Sequence, residues 1–303
     1  MVKFAYFSDT HFCSRKPIRR TDTNFFEAQI SKLKSVTDFC IKQGVKVLLH
    51  GGDVFDTPHP DYGVLNAVAT QLLRLKKRKI ECYVTPGSHD LLGYRLGSVD
   101  KTSIGTLIST GLLKPLVGDM EIQSVLFYGV PAQLNHTLDV YKDIPDKRII
   151  ITHNIVTSDA VEYDHLTFED LATTEFSRIF LCAHYHKFFK IQVGNTFFFN
   201  TGPLVRTSKI EAEHQPNLLI FDVDKGQTRF STFLIPYVKD VLDLTEKTEL
   251  GTICISGLKD TRIAFLDLFD LTKKLAEKHN IDKTIVDDAL TRLDEARRSF
   301  SDV

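Results

Sequence analysis

The N-terminal part of the chain alternates between short apolar runs and longer segments with helical spacing. Val2–Ser8, Val45–His50 and Ile80–Val84 are short, rich in β-branched and aromatic residues, and followed by turn residues, which predicts buried strands. Between them, Asp22–Gln43 and Asp61–Lys79 repeat apolar residues every three or four positions, which predicts amphipathic helices. Strands that alternate with helices in this way predict a parallel sheet with helices packed against it.

The later pattern is mostly of the strand type. A short helix is predicted at Ser103–Leu113, and the runs that follow it predict strands at Ser124–Val130, Lys147–Thr152, Arg178–Cys182, Phe188–Val193, Thr196–Asn200, Leu218–Val223 and Phe230–Ile235. The last four runs are short and separated by turns, which is typical of an antiparallel sheet. The whole pattern predicts an α/β fold with a two-layered β core and helices outside it.

The pattern changes again after Tyr237. The remaining segments predict a connection, a small strand and two helices that form a hairpin, namely Val238–Thr248, Thr252–Ser256, Asp260–His279 and Asp282–Phe300. We therefore expect two domains, 1–237 and 238–303, of which the second is a small α+β appendage. The helical hairpin either packs on the core or receives a partner.

Composition and charge limit the classes of protein that need to be considered. The 303 residues are 25% charged and 43% hydrophobic, with a formal net charge of −1, as in an ordinary globular protein. A near-neutral chain has no overall field that attracts nucleic acid, so a DNA partner requires a local basic patch. Five cysteines without a CxxC pair indicate reduced thiols. With no signal-peptide pattern and no apolar run long enough to span a bilayer, we expect a cytoplasmic protein without a membrane partner.

One loop supplies a local basic patch. Arg15, Lys16, Arg19 and Arg20 lie on both sides of Pro17, shortly after the first predicted strand ends. Two interpretations are open: a solvated surface loop, or a loop that contacts the phosphates of a nucleic acid. Under the second interpretation, these four cations are candidate DNA-binding residues.

Histidine and aspartate follow five of the predicted strands. These residues are Asp9, His11, Asp53, His89, Asp90, His153, His184 and His186. A spacing of two residues, as in His184 and His186, puts both side chains on the same side of an extended chain. Mixed imidazole and carboxylate ligands suit Mn²⁺, Fe²⁺ or Zn²⁺ better than Ca²⁺. A single histidine is usually a surface or hydrogen-bonded residue, but five such strand ends together predict a metal site, with Asp53 as the candidate bridge between two ions.

The order of these groups resembles the signature of the calcineurin-like metallophosphoesterases. Its pieces here are Asp9-Thr10-His11, Gly52-Asp53-Val54-Phe55-Asp56, Gly87-Ser88-His89-Asp90, His153-Asn154 and Ala183-His184-Tyr185-His186. The resemblance implies a four-layer αββα sandwich, in which two mixed sheets are flanked by helices. Finer features are similar to the SbcD-type DNA repair nucleases of the meiotic recombination eleven family, namely the basic loop and the stretches GGDVFDTPHP, PGSHD and TGPLVRTS.

The same resemblance implies the roles of individual residues. One divalent ion is expected at Asp9, His11, Asp53 and His186, and a second at Asp53, Ser88, His153 and His184. His89 is expected to protonate the leaving oxygen, with Asp90 orienting its ring. Mn²⁺ is the expected metal, with Mg²⁺, Fe²⁺ and Zn²⁺ as alternatives.

The chain departs from the family signature at two positions. Ser88 stands where the family has asparagine, and a short neutral hydroxyl is a poorer ligand than an amide carbonyl. The second ion site is therefore weaker, completed by water, or filled only when substrate is present. Ala183 replaces a glycine, which is a milder change. Neither departure removes a charged ligand, so we expect an active enzyme.

The leading hypothesis is a DNA exo- or endonuclease subunit that processes DNA ends in repair or recombination with an SbcC-like coiled-coil ATPase. By resemblance, the C-terminal helices would bind this ATPase, and the helices at 61–79 and 98–113 would form a homodimer. Their apolar stripes are equally consistent with core packing. The alternatives are a small-molecule phosphodiesterase or phosphatase of the same superfamily, and an adaptor with an impaired second metal site.

Overall fold

The computed structural model describes residues 1–133, 137–161 and 164–245, together with the single positions 286 and 290. The chain separates into two compact units, Met1–Thr245 and Glu246–Val303, and the first of these is described below. Apart from positions 286 and 290, the strand and helical hairpin expected at 252–300 lie outside the described residues. The division into domains 1–237 and 238–303 therefore stays a prediction.

The first unit contains two six-stranded sheets. Its strands are β1 (Val2–Phe7), β2 (Val47–His50), β3 (Glu81–Val84), β4 (Lys114–Pro115), β5 (Gly118–Ile122), β6 (Val125–Val130), β7 (Ile149–Thr152), β8 (Arg178–Cys182), β9 (Phe189–Val193), β10 (Thr196–Asn200), β11 (Asn217–Asp224) and β12 (Gln227–Leu234). The strand order is β12-β11-β1-β2-β3-β4 in the first sheet and β5-β6-β7-β8-β10-β9 in the second.

Both sheets are mixed. In the first, β1 to β4 are parallel and the β11–β12 hairpin pairs antiparallel to β1. In the second, β6, β7, β8 and β10 are parallel, and β5 and β9 are antiparallel edge strands. The prediction of one antiparallel sheet after β8 is wrong in part. The β9–β10 and β11–β12 hairpins both form, but the first belongs to the second sheet and the other to the first sheet.

Helices cover the outer faces of both sheets. They are α1 (Phe25–Lys42), α2 (Tyr62–Lys77), α3 (Ser103–Ser109), α4 (Asp139–Lys142) and α5 (Phe168–Leu171), with 3₁₀ turns at Leu96–Lys101 and Lys209–Glu211. Among the described residues, no helix has the length and apolar character needed to cross a bilayer.

Alternation along β1 shows how the layers assemble. Phe4 and Tyr6 point into the core between the sheets, whereas Ala5 and Phe7 point into the core shared with α1, α2 and α3. Because both faces of the strand are covered, its sequence is a continuous apolar run rather than an alternating one. A third core packs α4 and α5 on the other side of the second sheet. The expected four-layer α/β architecture is confirmed.

A group of buried cations lies beside α1. The Arg20 guanidinium is hydrogen-bonded to both carboxylate oxygens of Asp22, at 2.8 and 2.6 Å, and Arg206 is fully buried. Lys32, on α1, is only 7% exposed. Burial, followed by the charges of Arg20 and Arg206, lowers the pKa of Lys32 to about 8, and the more weakly acting Asp22 does not offset this.

Candidate metal centre

The metal ligands expected from the sequence lie on loops at the carboxyl ends of parallel strands. Asp9 and His11 follow β1, and Asp53 follows β2. His153 follows β7, and His184 and His186 follow β8. Parallel strands place their carboxyl ends at one edge of each sheet, and the two packed sheets bring the two edges together. Side chains far apart in sequence thereby converge on one position.

The loops after β1 and β2 are fastened to each other by main-chain hydrogen bonds. The Asp9 N–H donates to the Gly52 carbonyl, and the His11 N–H donates to the Asp53 carbonyl, both at 3.0 Å. Asp9, His11, Asp53 and His184 all have left-handed backbone, with φ of 51°, 42°, 55° and 68°. This conformation costs roughly 1–2 kcal/mol for each non-glycine residue and is concentrated at functional sites. Here it turns four candidate ligands toward the same space.

Two glycines allow the loops to close around Asp53. A Cβ at Gly87 would overlap the carboxylate and the main-chain nitrogen of Asp53. A Cβ at Gly52, where φ is 108°, would overlap the His153 ring. These positions require glycine because backbone and ligand side chains approach so closely there.

The first cluster consists of Asp9, His11 and His186. The Nε2 atoms of His11 and His186 are 3.1 Å apart, and His186 Nε2 is 3.8 Å from Asp9 Oδ1. The other carboxylate oxygen of Asp9, Oδ2, is buried without a hydrogen-bond partner. A buried, unpartnered carboxylate oxygen beside two imidazole nitrogens is the environment expected of a cation site.

The second cluster consists of Asp53, His153 and His184. His153 Nε2 lies 3.1 Å from Asp53 Oδ2 and 3.1 Å from His184 Nδ1. The Ser88 hydroxyl donates to the same carboxylate oxygen at 3.3 Å. Ser88 therefore stands beside the second cluster.

Asp53 Oδ2 is shared by the two clusters. It lies 3.7 Å from His11 Nε2 in the first cluster and 3.1 Å from His153 Nε2 in the second. Two ligand atoms that bind one ion at about 2.1 Å and at right angles are about 3.0 Å apart. The separations of 3.1 Å between imidazole nitrogens match that spacing. The residues thus fit two divalent ions with one bridging carboxylate, and the donor set does not decide which metal.

Charges within the centre shift the pKa values of its members. Burial raises the pKa of Asp53, but the charge and hydrogen bond of His153, with contributions from His184 and His11, outweigh it and hold that pKa well below its ordinary value. Burial lowers the pKa of His153, yet the Asp53 carboxylate raises it overall, to about 9. Without an ion, His153 therefore retains a proton that a metal must displace.

Two nearby residues escaped the sequence interpretation. Glu211, 2% exposed, accepts a hydrogen bond from His186 Nδ1 at 2.9 Å. The sequence does carry one sign of Glu211. Ser208, the last residue of TGPLVRTS, and Glu211 have the three-residue spacing of a helix-capping pair. Tyr94 is 41% exposed and has its hydroxyl beside Ser88. We find no sequence signal for Tyr94.

The structure corrects the role expected of Asp90. Its carboxylate accepts hydrogen bonds from the main-chain N–H groups of Asp53, Val54 and Gly87, at 2.8, 3.0 and 2.9 Å. The ring of His89 is instead held through Nδ1, which lies 2.6 Å from the Asp56 carbonyl. Asp90 therefore fixes the loops around the metal ligands, and the expectation that it orients the His89 ring is wrong.

The basic loop is only partly available to a ligand. Arg15 and Lys16 are exposed. Arg19 donates to the carbonyls of Asp243 and Thr245, at 3.3 and 3.2 Å. Arg20 is 4% exposed, because its guanidinium pairs with the carboxylate two residues further on. The expectation that Arg20 binds DNA is therefore wrong.

Fold and site together define a phosphoester hydrolase with a candidate two-metal centre. The family model described as calcineurin-like phosphoesterase matches residues 2–188. The chain belongs to the calcineurin-like phosphoesterase family, as the resemblance implied. Membership implies a metal-dependent hydrolase.

Two relatives carry the name DNA double-strand break repair protein Mre11. The protein of Saccharolobus solfataricus is 27% identical over 135 residues, which are 43% of this chain and 33% of the relative. That of Methanosarcina mazei is 25% identical over 227 residues, 70% of this chain and 35% of the relative. The matched part spans about a third of these relatives. They support the SbcD-type family as the near relation.

Solved structures show more distant similarity. A dimetal phosphatase from Danio rerio is 10% identical, with a TM-score of 0.49 over 78% of this chain and 99% of that one. A Vps29 mutant from Entamoeba histolytica is 11% identical, with a TM-score of 0.35 over 78% and 100%. At these identities and TM-scores, neither structure indicates what this chain does.

Proposed function

We propose that this chain is a two-metal phosphodiesterase that cleaves DNA, acting as a nuclease subunit in DNA end processing. The observation that carries the proposal is the Asp53 carboxylate, whose Oδ2 lies within 4 Å of imidazoles from both clusters. The names of the two relatives support DNA as the substrate. Mn²⁺ is the metal we propose on the resemblance to the SbcD-type nucleases, because the mixed imidazole and carboxylate donors suit Mn²⁺, Fe²⁺ and Zn²⁺ alike.

Two divalent ions, when bound, would supply a Lewis acid and a charge clamp for the phosphoryl group. Asp9, His11 and His186 would bind one ion, His153 and His184 the other, with Asp53 binding both and Ser88 beside the second. The ligand atoms of these six histidine and aspartate side chains are held in place because main-chain hydrogen bonds fasten the loops that carry them.

His89 is the proposed proton donor for the leaving oxygen. Its Nδ1 lies 2.6 Å from the Asp56 carbonyl, which can only accept a hydrogen bond, so Nδ1 carries a hydrogen. That leaves Nε2 to take and give the catalytic proton. The ring is exposed and stands edge-on to His11 at 4.8 Å, at the border of the metal centre.

The test uses Mn²⁺ with end-labelled duplex or single-stranded DNA, and bis-p-nitrophenyl phosphate in parallel, with and without an SbcC-like ATPase. We expect wild type to cleave DNA, and His89→Ala to lose about 10²–10⁴-fold in rate. His59→Ala, an exposed histidine away from the clusters, is the matched control. Cleavage of the small diester but never of DNA, with the ATPase present, would refute the nuclease proposal.

Substitutions at Asp53 and Ser88 test the two sites separately. Asp53→Asn removes the shared charge, so we expect binding of both Mn²⁺ ions to be lost in calorimetric titrations. Ser88→Asn supplies an amide carbonyl beside the second cluster, so the Mn²⁺ concentration needed for activity should fall. No change with Ser88→Asn would mean that water or another group already completes the second site.

One observation favours a small phosphodiester as the alternative substrate. The basic loop offers two exposed cations, Arg15 and Lys16, rather than four. A small diester needs few phosphate contacts outside the metal centre, whereas DNA binding gains affinity from each one. Under this alternative, Arg15→Ala and Lys16→Ala leave hydrolysis of the small diester unchanged, and DNA is not cleaved.

Self-association and ATPase binding are further parts of the proposal. On α2, Tyr62 and Leu73 are 84% and 42% exposed and stand three helical turns apart on one side, which supports a homodimer through this helix and the 98–113 region. The segment proposed to bind an ATPase lies beyond the described residues. Light scattering of wild type and Tyr62→Glu tests the homodimer, since an exposed charge should dissociate it.

A further inference from the structure

A buried carboxylate, Glu211, stands directly behind the metal-facing ring of His186. Glu211 Oε1 is 2.9 Å from His186 Nδ1. Its other oxygen, Oε2, accepts from the Thr207 N–H at 2.5 Å, the Thr207 hydroxyl at 3.2 Å and the Ser208 N–H at 3.1 Å. Because donors engage both oxygens and Glu211 is 2% exposed, the carboxylate cannot rotate away from the imidazole.

This contact fixes which nitrogen of His186 faces the metal position. An ionised carboxylate only accepts hydrogen bonds, so Nδ1 carries a hydrogen, and in the neutral ring Nε2 is the nitrogen with the lone pair. Nε2 is the atom that lies 3.1 Å from His11 Nε2 and 3.8 Å from Asp9 Oδ1. A negatively charged acceptor also makes the imidazole a stronger electron donor than a neutral acceptor does.

His153, in the second cluster, has a different environment. His153 Nδ1 lies 2.7 Å from the Gly51 carbonyl, which is a neutral acceptor. The neighbouring Ser88 is a neutral hydroxyl. The first cluster therefore has a buried negative charge behind the His186 ring, whereas the His153 ring of the second cluster has a neutral carbonyl behind it.

We propose that Glu211 is a positioning residue that orients and polarises His186, and thereby makes the first cluster the tighter of the two metal sites. This inference rests on the proposed two-metal function. It predicts that the two ions bind unequally, with the site of Asp9, His11 and His186 filled first.

The experiment is calorimetric titration of Mn²⁺ into the chelator-treated full chain. Wild type should show two binding steps. Glu211→Gln should weaken the tighter step by about 10–100-fold, the usual effect of removing such a partner, and change the weaker step by less than about twofold. Glu213→Gln, the same substitution at a side chain 82% exposed, is the control and should change neither. Equal affinities in wild type and Glu211→Gln would overturn the inference.

A double-mutant cycle separates positioning from a merely structural role. If Glu211 acts through His186, then Glu211→Gln made in a His186→Ala background should add less than about twofold to the loss. If Glu211 only braces the turn at Thr207 and Ser208, the two losses should multiply, and the inference fails. Should Glu211→Gln not fold, as judged by circular dichroism, Glu211→Asp keeps the charge and provides the same cycle.

The outcomes distinguish this inference from the proposed function. If wild type binds two Mn²⁺ ions unequally, and Glu211→Gln weakens the tighter one, but no DNA is cleaved, the nuclease proposal fails and the inference stands. If wild type cleaves DNA and Glu211→Gln binds Mn²⁺ as wild type does, the inference fails alone. If wild type binds no Mn²⁺, both fail.

Discussion

The buried amine of Lys32 should make the protein less stable at neutral pH than at alkaline pH. Its folded-state pKa is lowered from the ordinary 10.5 to about 8, chiefly by burial, and Asp22 is already paired with Arg20. Between these two values the unfolded chain binds more protons than the folded one, so stability rises with pH. The shift corresponds to roughly 3 kcal/mol of destabilisation at pH 7, and roughly 2 kcal/mol remains at about pH 9.

Lys32→Met tests this reasoning, because methionine has a similar length and no charge. We expect the variant to be more stable than wild type by roughly 3 kcal/mol at pH 7, and the gain to shrink by about 1 kcal/mol at about pH 9. Urea unfolding followed by circular dichroism, with EDTA present, measures both differences.

Lys34→Met is the matched control, on the exposed side of the same helix. It should stay within about 0.5 kcal/mol of wild type at both pH values. A Lys32→Met variant that is no more stable than wild type, or whose gain does not change with pH, would show that the amine is not desolvated.

Other predictions concern the centre and the basic loop. Gly87→Ala puts a Cβ into the Asp53 carboxylate. We expect Mn²⁺ binding to be lost in calorimetric titrations and the free energy of unfolding to fall by about 1–3 kcal/mol. Gly97→Ala, whose Cβ meets open space, should change neither. Arg20→Ala removes a buried guanidinium and leaves the partly buried Asp22 carboxylate without that partner, which should cost about 3–5 kcal/mol in urea unfolding. The exposed Arg15→Ala should cost less than about 0.5 kcal/mol, and similar losses for the two variants would contradict the burial argument. Because the pKa of His153 is raised to about 9, Mn²⁺ affinity should increase from about pH 7 to about pH 9, and a flat profile would argue against proton displacement.

Local patterns were enough to predict the layered class of fold and ten of the twelve described strands; β4 and β5 were not predicted. β1, β2 and β3 are covered on both faces, so each is a continuous apolar run that stands out against its turns. The assignment of the later hairpins to one sheet failed because pairing depends on contacts between distant segments. β11 pairs with β1, more than two hundred positions earlier in the chain, and nothing in its own residues specifies that partner.

Convergence of the candidate metal ligands was predictable from their positions at strand ends, whereas the environment of each side chain was not. Arg20 has the same charge as its neighbours in the basic loop, and only the folded structure shows that it is buried against Asp22. Glu211 lies 25 residues from the histidine that it contacts. A helix-capping spacing does not reveal that the same carboxylate also reaches the His186 ring.

The main-chain hydrogen bonds between the loops after β1 and β2 have a practical consequence. Together with the hydrogen bonds that the Asp90 carboxylate accepts, they hold Asp9, His11 and Asp53 in left-handed conformations through contacts between protein groups. We therefore expect folding and metal uptake to be separate events, unlike in small zinc domains that unfold when the metal is removed. The metal-free protein should therefore be obtainable as a folded species, and different cations can be exchanged into one preorganised cradle by dialysis.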